Sequence, residues 1–156
     1  MIFDRTAQDV VQAEQLFNEK VKAFLPLTDA EENIMERGRV TVGTLNRIEQ
    51  KQAEIALQLK DWGYIKEILV NKEWNAEVFF QEDLERLVEN TKALRNSFFV
   101  ITTSLKNPDV RFFYEDFNRM EQILSEIWQL IEAAKATFKY SGALNANQTI
   151  LPLKGA

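Results

Sequence analysis

Residues 44–62, TLNRIEQKQAEIALQLKDW, carry their apolar side chains at alternating spacings of three and four. The stripe consists of Leu45, Ile48, Gln52, Ile55, Leu59 and Trp62. These spacings average to the 3.5-residue period of helices that pack side by side in bundles. The stretch therefore predicts a long helix that begins near Thr44 and ends at Trp62, before Gly63.

Two later segments, 81–101 and 114–140, have the same pattern. Their stripes are Leu84, Leu87, Thr91, Leu94, Phe98 and Ile101, and then Phe117, Met120, Leu124, Ile127, Ile131, Ala134 and Phe138. The sequence thus predicts an all-α fold, an elongated bundle of three long helices. These stripes form the seam between the helices, and two polar residues, Gln52 and Thr91, interrupt it. They either specify the register or the oligomeric state of the bundle or are tolerated where the bundle is wide.

The sequence predicts further helices before the bundle and a different conformation after it. Thr6 followed by Asp9 and Thr28 followed by Glu31 have the pattern of helix N-caps, so residues 1–40 are expected to form a helical hairpin. Residues 41–142 are expected to form the bundle core, and residues 1–142 to make one domain. After Gly142 we expect an extended tail, residues 143–156. Its apolar side chains are expected to need a partner surface: Ile150, Leu151 and Leu153.

The composition argues against several classes of function. The 156 residues include no cysteine and no histidine, so a Ser-His-acid triad, a thiolate nucleophile and a cysteine-based zinc site are excluded. The formal net charge of −5 makes nucleic acid an improbable partner, and the short apolar runs predict no membrane span. The first residues, MIFDRTAQDV, lack a basic region followed by an apolar core, so no signal peptide is expected. We expect no catalytic residue, no cofactor and no metal.

One pentapeptide occurs twice, as NRIEQ at 46–50 and NRMEQ at 118–122. The repeated positions are Asn46, Arg47, Glu49, Asn118, Arg119 and Glu121. The asparagines are expected either to cap helix starts or to make buried hydrogen bonds. The helical register places the glutamates beside the seam, where they would form ion pairs, and turns the arginines outward. Facing glutamates also permit a glycosidase-like acid/base pair, which we consider the weaker interpretation.

Two tryptophans, Trp62 and Trp74, are expected either to cover an end of the bundle or to form a contact surface.

Several stretches resemble a family of small tail-associated proteins of Gram-positive phages, prophages and phage-tail-like bacteriocins. The resemblance rests on LNRIE at 45–49, GY at 63–64, NRME at 118–121 and YSG at 140–142. It implies a non-enzymatic structural subunit, an adaptor in the baseplate or at the tail-fibre attachment. The implied partners are other tail, baseplate or fibre proteins and further copies of the chain, as a trimer or ring. The implied location is the virion or tail-like particle, assembled in the bacterial cytoplasm.

Two alternatives remain open at the level of sequence. One is a helical assembly chaperone or regulator that binds a partner helix through its seam. The other is a cell-wall hydrolase that uses the repeated glutamates.

Overall fold

The computed structural model describes residues 1–66, 69–75, 79–98, 104–107 and 111–155, with side chains of the last helix as far as Thr137. The all-α prediction is confirmed, because the described residues form helices and no strand. The α-helices in these ranges are α1 (Ala7–Glu19), α2 (Asp29–Gly38), α3 (Val42–Asp61), α4 (Gln81–Phe98) and α5 (Tyr114–Gly155). A short 3-10 helix, Val21–Ala23, follows α1.

The hairpin of α1 and α2 starts each helix with the predicted cap. Thr6 and Thr28 both accept a hydrogen bond from the third helical residue, and the carboxylates of Asp9 and Glu31 both accept one from the cap backbone. Gly38 lets the two helices approach closely, since an added Cβ there would overlap the Asp9 carbonyl oxygen.

The main core lies between α3, α4 and α5, and it is built largely from the predicted stripes, with Val88 and Ile123 in addition. Each of these helices packs against the other two. The fully buried apolar residues of the core are Leu45, Ile48, Ile55, Leu59, Leu87, Val88, Leu94, Met120, Ile123, Leu124, Ile127 and Ile131. Ala13 and Leu16, the buried apolar residues of the hairpin, lie outside this core cluster. Polar contacts therefore make up much of the attachment of the hairpin to the bundle.

The structure corrects three details of the sequence interpretation. Helix α3 begins at Val42 with Thr41 as its N-cap, two residues before the predicted start. Asn46 and Asn118 are therefore not N-caps, since each lies in the second turn of its helix. The backbone of α5 remains helical to Gly155, where an extended tail was expected. Residues 143–151 contain no glycine or proline, the two residue types that most oppose a helix, and Pro152 comes only in the last turn.

Some predictions fall outside the described residues. The expected end of the α4 stripe, Ile101, is one of them, as are the side chains of Ile150, Leu151 and Leu153. No helix among the described residues is both long and apolar enough to cross a membrane.

Candidate functional site

Asn46, in the first repeated motif, binds the backbone of one distant residue at two points. Its Oδ1 accepts a hydrogen bond from the Trp74 amide at 2.7 Å, and its Nδ2 donates to the Trp74 carbonyl at 2.9 Å. An asparagine side chain carries one acceptor and two donors, so it can replace the partner strand that an extended residue lacks. The non-helical segment 69–75 is thereby fixed to α3.

Glu49, one turn after Asn46, binds three further donors of that segment. It accepts hydrogen bonds from the Lys72 amide at 3.2 Å, the Trp74 indole Nε1 at 3.2 Å and the Asn71 side chain at 3.0 Å. The guanidinium of Arg86, on α4, completes the shell with a two-point contact. The carboxylate is buried, 2% exposed, and most of its shell comes from groups distant in sequence.

Asn118 repeats this arrangement with a different segment. Its Oδ1 accepts from the Arg5 amide at 3.1 Å, and its Nδ2 donates to the Arg5 carbonyl at 2.8 Å. Glu121 accepts from the Ile2 amide at 2.5 Å and from the Arg5 guanidinium at 2.6 Å. Arg47, on α3, donates to both oxygens of Glu121 at 3.0 Å. The second motif thus fixes residues 1–6 as the first fixes residues 69–75.

We call each such unit an Asn-x-x-Glu clamp: the first clamp is Asn46 with Glu49, and the second is Asn118 with Glu121. In each clamp the asparagine holds both backbone groups of one extended residue. The glutamate then binds an amide two or three residues earlier, the side chain of the clamped residue, and an arginine from a neighbouring helix.

The surroundings keep both clamp carboxylates charged. Burial alone would raise the pKa of Glu49, but hydrogen bonds from Arg86, Asn71 and the Lys72 amide outweigh it, and the pKa is lowered. Burial likewise opposes ionisation of Glu121, and Arg47 and Arg5 lower its pKa below the ordinary value. A general acid needs the opposite shift. The two glutamates also bind separate partners, which favours a structural role for both.

The paired arginines of the two motifs lie in different environments. Arg47 does not point outward as the register suggested, because it bridges buried Glu121 and Glu36 of α2. Burial opposes the charge of Arg47, but contacts with these two carboxylates raise its pKa. Arg119 does point outward, with its side chain 45% exposed.

The two polar seam residues contact each other inside the bundle. Gln52 Nε2 donates to Thr91 Oγ1 and to the Leu87 carbonyl, both at 2.8 Å, and both side chains are fully buried. This contact joins α3 to α4 within the chain, and a polar contact in a seam is one way in which helices can fix their register.

The tryptophans lie at different places. Trp74 is buried against Phe79, with ring centroids 5.8 Å apart, while its indole donates to Glu49. Trp62 is half-buried at the end of α3 and packs on Phe98 at 5.7 Å.

Sequence reasoning missed several members of the site, including Arg5 and Arg86. A second repeat would have pointed to Arg86: FFQEDLER at 79–86 matches FFYEDFNR at 112–119 in its two phenylalanines, Glu, Asp and Arg. The Asp of each copy, Asp83 or Asp116, accepts a hydrogen bond from the second phenylalanine's amide and pairs with a lysine from the preceding segment. No comparable sequence signal points to Arg5, which lies 113 residues from its clamp.

A wide groove of about 740 Å³ lies between the hairpin and the start of α3. Its lining combines apolar and charged side chains: Phe17, Val21, Met35, Glu32, Arg39 and Arg47.

Comparison with known proteins adds no relative to this description: no protein-family model, no curated protein and no solved structure matches the chain.

Proposed function

We propose that this protein is a non-enzymatic structural subunit of a phage tail or phage-tail-like particle, an adaptor in the baseplate or at the tail-fibre attachment. The observation that carries the non-enzymatic part is the occupancy of the two clamps. Both motif carboxylates are buried, are kept charged and are bound by the chain's own backbone and arginines. Groups engaged in this way stabilise an architecture and offer no free acid or base for catalysis.

The assignment to a tail particle rests on the family resemblance of the LNRIE, NRME and YSG stretches. A long helical scaffold of this kind suits an adaptor, because three helices of about 20 residues or more give a rod of roughly 30 Å with surface on all sides. We further propose that the subunit acts in several copies, as a trimer or ring, in contact with other tail, baseplate or fibre proteins. It would reach the particle by assembly in the bacterial cytoplasm.

A second candidate is an assembly chaperone that binds its partner and then leaves. The groove beside the hairpin and the nearby exposed loop favour this alternative, since Phe24 is 96% exposed and Leu25 52% exposed. Exposed apolar surface of this kind is typical of protein-binding sites.

Purification of particles from producing bacteria tests the proposal and separates the two candidates. A structural subunit should copurify with finished tails in a fixed ratio and contribute ordered density to their reconstruction. A chaperone should bind assembly intermediates in the lysate and be missing from finished tails. Absence from both would contradict each candidate.

A further inference from the structure

Three arginines occupy the same place in α3, α4 and α5. The NRIEQ and NRMEQ repeat aligns Arg47 with Arg119, and the FFQED and FFYED repeat aligns Arg119 with Arg86. All three therefore lie in the second turn of a bundle helix.

Two of the three arginines bind the clamp glutamate of another helix. Arg86 of α4 contacts Glu49 of α3 through both terminal nitrogens, and Arg47 of α3 contacts Glu121 of α5. Planar two-point contacts of this kind are the geometry in which arginine recognises a carboxylate most strongly. The arginine of α4 thus binds the glutamate of α3, and the arginine of α3 binds the glutamate of α5.

The third contact of this series would join Arg119 of α5 to a carboxylate of α4, but α4 has no carboxylate at the equivalent position. In the alignment, the α4 position that corresponds to Glu49 and Glu121 is Val88, a fully buried apolar residue. Among the described residues, the ion pair of Arg119 is a 3.9 Å approach to Asp116 in its own helix. Arg86 makes the matching 4.0 Å approach to Asp83 and binds Glu49 in addition.

The exposure of the side chains follows the same division. The Arg86 side chain is 16% exposed and that of Arg47 is 22% exposed, whereas that of Arg119 is 45% exposed. The Oδ1 atom of Asp116, beside Arg119, is buried without a hydrogen-bond partner among the described residues. The guanidinium of Arg119 is thus loosely placed and open to an incoming group.

We propose that Arg119 binds a carboxylate supplied by a neighbouring protein subunit, in the two-point geometry that Arg86 uses for Glu49 within the chain. The carboxylate is an Asp or Glu side chain on the surface of the partner. Glu49 and Glu121 of a second copy cannot supply it, because each copy already binds them internally. This inference rests on the proposed function in one respect, namely that the neighbour is a subunit of the tail particle.

The test replaces the gene in particle-producing bacteria with four versions: wild type, Arg119→Glu, Arg119→Lys and Lys60→Glu. Lys60 is exposed on α3 and gives the matched charge reversal away from Arg119. Quantitative mass spectrometry then measures copies of the protein per purified particle. Chemical denaturation of each purified variant checks that the fold is retained.

We expect Arg119→Glu to fold as the wild type does and to fall roughly tenfold or more in particle occupancy, as loss of a desolvated interfacial charge pair predicts. Arg119→Lys should keep part of the occupancy, because lysine retains the charge but not the two-point geometry. Lys60→Glu should assemble normally. Suppressors of Arg119→Glu should replace an acidic residue of a neighbouring subunit with Lys or Arg.

Two results separate the ways in which the account can fail. If the wild type and Arg119→Glu are present in the particles at equal occupancy, the role of Arg119 is overturned and the proposed function is left intact. Wild-type protein missing from the particles would overturn the proposed function, and the inference with it.

Discussion

At the scale of single residues, the chain uses asparagine and glutamate for two distinct tasks. Asn46 and Asn118 supply the donor and the acceptor that match both backbone groups of one extended residue. Glu49 and Glu121 supply only acceptors, and they bind amides and cationic side chains. An aspartate at the asparagine position would lack the donor, and a glutamine at the glutamate position would lack the charge.

Replacement of Glu121 by glutamine should destabilise the protein strongly. Arg5 and Arg47 would lose their shared buried carboxylate, and breaking a buried pair on one side costs about 3–5 kcal/mol. Urea denaturation followed by circular dichroism measures the free energy of unfolding. The control is Glu132→Gln, whose carboxylate is 52% exposed and should cost little. Equal stability of the two variants would show that the second clamp contributes nothing.

Stability should fall in acid because the clamp carboxylates have lowered pKa values. The folded state binds protons less readily than the unfolded chain, so the unfolding free energy is largest above the ordinary glutamate pKa of about 4.3 and declines as the pH falls through the lower folded values. Denaturation from pH 7 to pH 3 measures this decline. Glu121→Gln should show a shallower decline than the wild type, and an unchanged slope would rule out Glu121 as a source.

At the scale of elements, the hairpin depends on a glycine at the crossing of α1 and α2. An added Cβ on Gly38 would overlap the Asp9 carbonyl oxygen and the Ala13 Cβ, neither of which can move without shifting α1. We expect Gly38→Ala to cost about 1–3 kcal/mol, the usual penalty of overpacking. Thermal unfolding of the variant measures the loss.

The matched control for that prediction is Gly43→Ala. A Cβ on Gly43 would overlap the Oε1 atom of Glu36 and lie 3.1 Å from its Cδ, and both atoms belong to the end of one flexible side chain. Its effect should be clearly smaller, and a larger loss from Gly43→Ala than from Gly38→Ala would contradict the close crossing of the two helices.

The elements themselves were largely predictable because their causes are local. The stripes of α3, α4 and α5 follow from helical periodicity, and the caps at Thr6 and Thr28 follow from spacing within one turn. Hydrogen bonding by Asn46 was one of the two alternatives that the sequence left open, but its partner was not predictable. Its Asn-x-x-Glu pattern also fits a cap, but Thr41 takes the cap position, and the true partner, Trp74, lies 28 residues away.

At the scale of the whole molecule, two repeats organise the bundle, and sequence analysis recognised only one of them. The repeated pentapeptide indicated ion pairs between helices, which the structure contains as Arg47–Glu121 and Arg86–Glu49. Which arginine meets which glutamate depends on helix packing, so spacing along the chain could not assign the pairs. The anchoring of residues 1–6 is equally non-local, because it joins the first residues of the chain to the beginning of α5.

The central claim is that the doubled motif is a pair of clamps that hold extended segments, and amide hydrogen exchange tests it most directly. In the wild type, the Arg5 and Trp74 amides should exchange more slowly than those of Asp4 and Glu73, since they donate to Asn118 and Asn46.

The variants supply the decisive comparison, because each serves as the control for the other. Asn118→Ala should speed exchange at Arg5 and leave Trp74 protected, and Asn46→Ala should do the reverse. Exchange of both wild-type amides at the rate of an unstructured chain, or variants that leave both rates unchanged, would contradict the account.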